Sequence, residues 1–363
     1  MPTAAKIPDI AYLPNDPKAY RPAIGLIGCG SITKEHLAAY RKAGYLVEAF
    51  CDIDLATATK RRDAFYPEAA IYSDAEQLLQ HPNIEVVDIA THPNIRASLI
   101  EKALLAGKHV LSQKPFVLDL EVGERLVALA EREHVQLAVN QNGRWAPHFS
   151  YMRAAIASGL IGEVQSVQMA VHWDHNWIAD TEFDQVKHVI LYDFAIHWFD
   201  ILCCFLVGQE AKQVSASFAR SKYQKATPAL MGQAIVQYDS AQGSLFFNGD
   251  TRHGPRDTTV IVGSEGTLSS EGADLDQQQV TLNKDNLIFQ PQLEGCWFPD
   301  GFHGTMGELL CAIEEDRPPE NSAKNNLRSL AVCFAAVASA ESDRPIKPGS
   351  VRQLPDGAIE TPE

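Results

Sequence analysis

The sequence has no apolar run long enough to cross a bilayer, which excludes a helical membrane protein. Its first 22 residues, MPTAAKIPDIAYLPNDPKAYRP, hold no apolar core of the signal-peptide kind and no twin-arginine pair. They are too proline-rich for a regular helix, and read as an arm lying on the surface or on a partner subunit, or as plain disorder. Basic side chains are scarce: 31 stand against 46 acidic ones, for a formal charge of −15. A surface of that sign repels nucleic acid and anionic lipid, so neither is an expected partner. Cysteine is sparse and scattered, at 29, 51, 203, 204, 296, 311 and 333, with no pair at metal-ligand spacing. An odd number without a secretion signal fits reduced thiols in a cytoplasm, most of them small core residues. Internal repeats and low-complexity tracts are also lacking.

What is present is ordinary globular composition, 45% hydrophobic and 21% charged, in a chain of 363 residues. That length exceeds one typical core, so two domains are expected. From Ala23 to about Asn140, short apolar runs alternate with amphipathic stretches. The runs are AIGLIG (23–28), LVEAFC (46–51), EVVDIA (85–90), HVLS (109–112) and QLAVN (136–140). Between them lie helically spaced segments such as Ile95, Leu99, Ala103 and Ala106, closed by Gly107. Such alternation predicts an α/β domain, a parallel sheet with helices on both faces.

After residue 160 the period changes to two, in runs over 163–173, 233–240, 243–250 and 258–270. This predicts a second, α+β domain with a large, mostly antiparallel open sheet. A strongly apolar helix from Asp193 to Val207, stopped by Gly208, precedes most of it. Helices are expected near 303–315 and 323–341. The resulting division is an arm (1–22), a nucleotide-binding domain (23–145), a substrate and oligomerisation domain (146–322), and a C-terminal helix and tail (323–363) packing back.

The first strand runs into Gly28-Cys29-Gly30-Ser31-Ile32-Thr33 and then a helical segment. In a dinucleotide-binding turn the first glycine makes the bend and the second lets backbone approach a pyrophosphate. The helix behind it offers free N–H groups. Gly28, Gly30, Ser31 and Ile32 are the candidate contacts, and Thr33 replaces the usual third glycine. Asp52 ends the second strand, where a carboxylate can accept ribose hydroxyls and repel a 2′-phosphate. Ile53 and Asp54 follow it, with no immediate Arg or Lys, so NAD is favoured over NADP. Asp52 can also be read simply as a cap on the next helix.

Lys114 closes the fifth strand at its carboxyl end, within Gln113-Lys114-Pro115, where ligands sit in open α/β sheets. In YDFAIHWFDILCCFLVG, Asp193, His197 and Asp200 fall at i, i+4 and i+7, on one face of the predicted helix. Buried ionisable groups need partners or a cleft. Asp193 reads either as a helix cap or as a site residue, and His197 either as a core histidine bonded to Asp200 or as a base. The histidines at 172, 175, 188 and 197 invite a metal reading, but 172 and 175 point to opposite faces of a strand, so no metal is expected.

These residues resemble the glucose–fructose oxidoreductase, inositol dehydrogenase and MocA-like family from about Ala23 to Pro348. The matching segments are IGLIGCGSITKEH, VVDIATHPNIRASLIEKALLAGKHVLSQKP, GRWAP, YDFAIHWFD and ENSAKNNLRSL…ASAESDRPI. The resemblance implies a Rossmann domain, a C-terminal domain whose open sheet often mediates homo-oligomerisation, and an NAD-dependent dehydrogenase acting on a sugar or polyol. It implies that Lys114, Asp193 and His197 are catalytic, and that Thr91, His92, Pro93 and Gln113 join Lys114 at the nucleotide. The candidate substrate contacts are Lys114, Asn142, His172, Trp173, Asp193, His197 and His303. Gln113 departs from the family's glutamate, and Arg96 from its histidine. Two alternatives share the fold: a glycoside hydrolase using NAD transiently, and a regulator that binds nucleotide without turnover.

Overall fold

The computed structural model describes residues 10–354, and the remainder of the predicted arm and tail lies outside them. The described chain forms two compact units. One comprises residues 14–145 and 298–327; the other comprises 10–13, 146–297 and 328–354.

In the first unit the order is β1 (Ala23–Ile27), α1 (Thr33–Ala43), β2 (Leu46–Cys51), α2 (Leu55–Phe65), β3 (Ala70–Tyr72), α3 (Ala75–Leu79), β4 (Ile84–Ile89), α4 (Pro93–Leu105), β5 (His109–Gln113), α5 (Leu120–Arg132) and β6 (Leu137–Asn140). The strands lie as β3-β2-β1-β4-β5-β6, every pair parallel. This is the doubly wound order, which reverses at β1 and opens a crevice there at the carboxyl ends. The edge strand β3 is too short to have shown in the apolar pattern. Asp54, Asp74 and Asp119 cap α2, α3 and α5 by accepting an N–H two residues on.

In the second unit α6 (Pro147–Ala157) leads to β7 (Val164–His172). A π turn (Ile190–Phe194) and α7 (Ile196–Phe205) follow. Then come β8 (Gln213–Ala219), β9 (Met231–Gln237), β10 (Gln242–Asn248), β11 (Arg256–Gly263), β12 (Thr267–Gly272), β13 (Gln278–Lys284) and β14 (Leu287–Phe289). The order β14-β13-β12-β11-β7-β10-β9-β8 is antiparallel throughout except where β7 meets β10. The run over 258–270 is therefore two strands folded back at Ser264–Gly266, not one. Strands β8, β13 and β14 were missed, being polar or short. Val167, Met169, Val171, Leu245 and Phe247 face inward and are buried, while Ile235 and Phe246 stand on the outer face, 45% and 40% exposed.

Two expectations need correction. The helix read as Asp193–Val207 is a π turn followed by α7, because Ala195 N–H reaches back to Ile190 O at 3.0 Å. Residues 298–322, assigned to the second domain, pack with the first. Their helix α8 (Asp300–Glu314) puts Phe302, Met306, Leu309 and Leu310 into the core formed by Ile24, Leu26, Val47, Val86 and Leu111. Each such side chain removed from water is worth about 1.5–3 kcal/mol. Gly304 permits this contact, since a Cβ there would lie 2.0 Å from Trp145 Cγ. The backbone N–H groups of Lys18, Ala19 and Tyr20 all donate to the Glu314 carboxylate, fixing this part of the arm to α8. The final helix α9 (Ala323–Ser342) counts with the first unit to residue 327 and with the second from 328.

Candidate active site

The glycine turn begins where Gly28 leaves β1 at φ +88°. A Cβ there would lie 2.9 Å from the carbonyl of Ala90, so only glycine fits. Beside Gly30 a Cβ would meet nothing within 4 Å, leaving an open approach of the kind a pyrophosphate needs. Thr33 compensates for the missing third glycine: it is buried and its hydroxyl donates to Gly30 O at 2.7 Å. Asp52 sits just past β2, its Oδ2 accepting the Cys29 N–H (2.8 Å) and its Oδ1 the Asp54 N–H (2.9 Å). It thus braces the turn, and the cap on α2 is Asp54 instead. Burial first, and the Asp52 charge second, push the Cys29 thiol up to about 12, so it stays protonated. Ser31 and Ile32 complete the turn ahead of α1, whose first turn has no side-chain cap. This arrangement fits a dinucleotide.

Sequence reasoning missed Arg61. In the second turn of α2 it comes back to the glycine turn, where its Nη2 donates to Gly30 O at 2.8 Å. A cation is therefore present at this corner although none follows Asp52 directly. Only the helical return of α2 could have revealed it.

At the same edge of the sheet, β5 ends in Gln113 and delivers Lys114, followed by a cis peptide to Pro115. A buried chain of groups stands behind this lysine. Gln113 Oε1 accepts the Lys114 N–H at 2.7 Å, and its Nε2 lies 3.0 Å from His36 Nε2. His36 Nδ1 is 2.7 Å from Asp88 Oδ2, which Tyr40 also reaches at 2.7 Å. Asn140 Nδ2 approaches His36 Nε2 at 3.3 Å, and Asn140 Oδ1 accepts from Thr305. Arg96, buried on α4, donates to Thr91 O, to Gln113 O at 2.6 Å and to Pro115 O. Thr91, His92 and Pro93 form the β4–α4 junction, with Pro93 as first residue of α4. Asn142 opens a buried 3-10 turn after β6.

In the second unit His197 occupies the first turn of α7, half-buried, its ring 5.6 Å from that of Trp297. Asp193 lies in the π turn, half-buried. Burial first, and the Asp193 charge second, push the Cys333 thiol up. Asp200 is fully buried and accepts the Ser329 hydroxyl of α9 at 2.9 Å. Trp173 packs edge-on to Phe194 (5.1 Å) and Trp198 (5.9 Å), on the inner face of the sheet.

Two predicted substrate contacts are displaced. His172 belongs to the outer face, where its ring lies 5.4 Å from the exposed Phe246, because successive strand residues alternate. His303 Nε2 bonds Asp16 Oδ1 at 2.8 Å, and its ring stands 5.9 Å from that of Tyr45. Tyr45 directly precedes β2, at the amino ends of the strands and opposite the glycine turn. His172 is thus on the face of its sheet opposite Trp173, and His303 at the end of the parallel sheet opposite Lys114. Among the described residues no group of three or more His, Cys, Asp or Glu could hold a metal ion.

A doubly wound sheet with this glycine turn and strand-end acid fits a dinucleotide-binding domain. The chain belongs to the GFO/IDH/MocA family: the model described as oxidoreductase family, NAD-binding Rossmann fold, matches residues 23–141, and that of the family's C-terminal domain matches 149–269. It is 27% identical over 343 residues to a D-apiose dehydrogenase of Paraburkholderia graminis, covering 89% of this chain and 88% of the relative. It is also 27% identical over 346 residues to an inositol 2-dehydrogenase of Rhizobium meliloti, covering 89% and 98%. Among solved structures, an oxidoreductase of Agrobacterium radiobacter in complex with NAD+, L-tartaric acid and magnesium superposes with a TM-score of 0.81, at 22% identity, over 91% of this chain and 99% of that one. A levoglucosan dehydrogenase in complex with NADH and levoglucosan superposes at 0.76, with 21% identity, over 91% and 100%. The family model matched by residues 23–141 is that of an NAD-binding Rossmann fold, and NAD is the cofactor of this chain.

Proposed function

We propose that this protein is a dehydrogenase or reductase that moves a hydride between NAD and a hydroxyl-bearing carbon of a sugar, sugar derivative or polyol. The observation that carries the reading is the placement of Lys114. It leaves β5 at the edge of the sheet where Gly28 leaves β1, with its backbone held from behind. Relatives that act on apiose and inositol support the substrate class.

NAD, when bound, supplies the ring carbon that takes or returns hydride. Glycines 28 and 30, with Ser31 and Ile32, receive the pyrophosphate, and Asp52 receives the adenosine ribose. Thr91, His92, Pro93 and Gln113 line the nucleotide's path. His197 takes the substrate hydroxyl proton on its imidazole, and the Lys114 ammonium stabilises the oxygen as negative charge develops. Asp193 orients the histidine, and Asn142 and Trp173 contact substrate. The reading requires Lys114 and His197 to serve one carbon, although the two residues belong to different units.

Its test is incubation with NAD and a panel of sugars, polyols and glycosides, following NADH absorbance and released aglycone together. NADH formation with one sugar or polyol class supports the reading. Aglycone release without NADH, or silence across the panel in protein that binds NADH, overturns it.

The same reading makes the protein a cytoplasmic homo-oligomer joined through the outer face of the second sheet. That face carries Ile235, Phe246 and His172, and all seven cysteines are free thiols. Light scattering of the wild type against Ile235→Glu/Phe246→Glu checks the assembly. A mass that does not fall in the variant removes this face from the interface.

A further inference from the structure

The proton arrangement behind Lys114 follows from hydrogen-bond geometry alone. Gln113 Oε1 is committed as acceptor of the Lys114 N–H, so the group facing His36 Nε2 is the amide donor. The Asn140 amide lies 3.3 Å from the same ring nitrogen. A ring nitrogen that accepts from the Gln113 amide carries no hydrogen. His36 is therefore the neutral tautomer protonated at Nδ1, donating to the Asp88 carboxylate. Tyr40 donates to that same carboxylate oxygen. Every member is buried. The groups facing the imidazole are Asp88 from β4, Tyr40 from α1, Gln113 from β5, Asn140 from β6 and Phe302 from α8, whose ring lies 4.6 Å away. Asp88 is the only carboxylate among them.

We propose that His36 is a positioning residue for Lys114: anchored by Asp88, it fixes the Gln113 amide, which in turn holds the Lys114 backbone where β5 ends. This rests on the catalytic reading of Lys114. The chain is directional, because each acceptor is committed before the next donor, so Gln113 has one rotamer and one amide orientation. A glutamate at position 113 would break this pattern. Its carboxylate cannot donate to Nε2, and the imidazole would have to carry a second proton held between two carboxylates.

Gln113→Glu should therefore introduce a limb absent from the wild type, with kcat falling as pH rises through the point where the imidazolium loses its proton. Nitrogen-15 NMR of the imidazole should show a His36 protonated at Nδ1 alone in the wild type, and one that carries a second proton on Nε2 in Gln113→Glu. His36→Leu should lower kcat at least tenfold while the Kd for NADH stays within threefold. His36→Gln, which can still donate to Asp88 and accept from Gln113, should recover kcat to within fivefold. The proposal is overturned if His36→Leu keeps kcat within twofold, if the leucine and glutamine variants fall alike, or if wild-type His36 carries its proton on Nε2. Should His36→Leu fail to fold, the pH profile and spectra of Gln113→Glu decide. A wild type silent toward every sugar and polyol sinks the catalytic reading instead, and the His36 spectra still report whether the chain of protons is as described.

Discussion

The Arg96 guanidinium donates to the carbonyl of Gln113 at 2.6 Å and to that of Pro115, the residues on either side of Lys114. A side chain from α4 thus clamps the loop that carries the candidate catalytic lysine, while Gln113 holds it through the N–H of Lys114. Replacing Arg96 with leucine would leave the buried carbonyls of Gln113 and Pro115, and the half-buried one of Thr91, without this donor. Each such loss costs about 1–3 kcal/mol. We expect Arg96→Leu to lower Tm by several degrees and turnover by about tenfold or more, with lysine restoring only part because it lacks the planar fork. Thermal denaturation and NADH-linked assays check this; a Tm within one degree of wild type would remove the clamp.

Lys114→Ala and His197→Ala should keep NADH binding and lose about 10²–10⁴-fold in kcat, the usual worth of a positioned proton-transfer group or oxyanion donor. Fluorescence titration with NADH and steady-state rates on the active substrate separate binding from chemistry. Near-normal turnover in either variant defeats the assigned role.

Asp52 both braces the turn through Cys29 and offers charge at its corner. Asp52→Ser should weaken NAD by about 10–100-fold, the worth of charged hydrogen bonds at this site. It should also narrow the gap to NADP, because Arg61 already reaches Gly30 and the Asp52 charge then no longer opposes a 2′-phosphate. The ratio of kcat/KM for the two cofactors is the readout. Unchanged NAD selectivity would free Asp52 of this function.

Two buried groups in the second unit give stability opposite pH dependences. Burial pushes His148 down to about 3, so it is neutral in the fold yet protonates in the unfolded chain below 6.5. Its contribution is present above 6.5 and is lost as pH falls toward 3. Burial pushes Asp257 up to about 7, from 3.8 in the unfolded chain. Its contribution is present below 3.8 and is lost as pH rises through 7. His148→Gln should flatten the acid limb of Tm against pH, and Asp257→Asn should raise Tm at pH 8 more than at pH 5. Parallel curves for a variant and the wild type would contradict the corresponding assignment.

Much of the first unit was legible because parallel strands buried on both faces read as continuous apolar runs, and the glycine turn has a local steric cause at Gly28. Strand β3 escaped because three half-buried residues make no pattern. His172 and His303 were misplaced for different reasons. At the end of β7 the parity of one residue decides which face it joins, and α8 returns to a unit that its sequence position does not indicate. The histidine behind Lys114 stood in a quoted segment without a role, since nothing local marks His36 as the neighbour of Asp88, Gln113 and Asn140.

By itself the sequence determined the doubly wound domain, the NAD-binding turn, the family and the second, largely antiparallel sheet, all of which rest on local periodicity and backbone sterics. Tertiary structure alone decided that Arg96 and His36 converge on Gln113, and that Arg61 returns to Gly30. Hydrogen bonds between residues far apart in the chain depend on how helices pack across strands, and no spacing along one strand or helix encodes that.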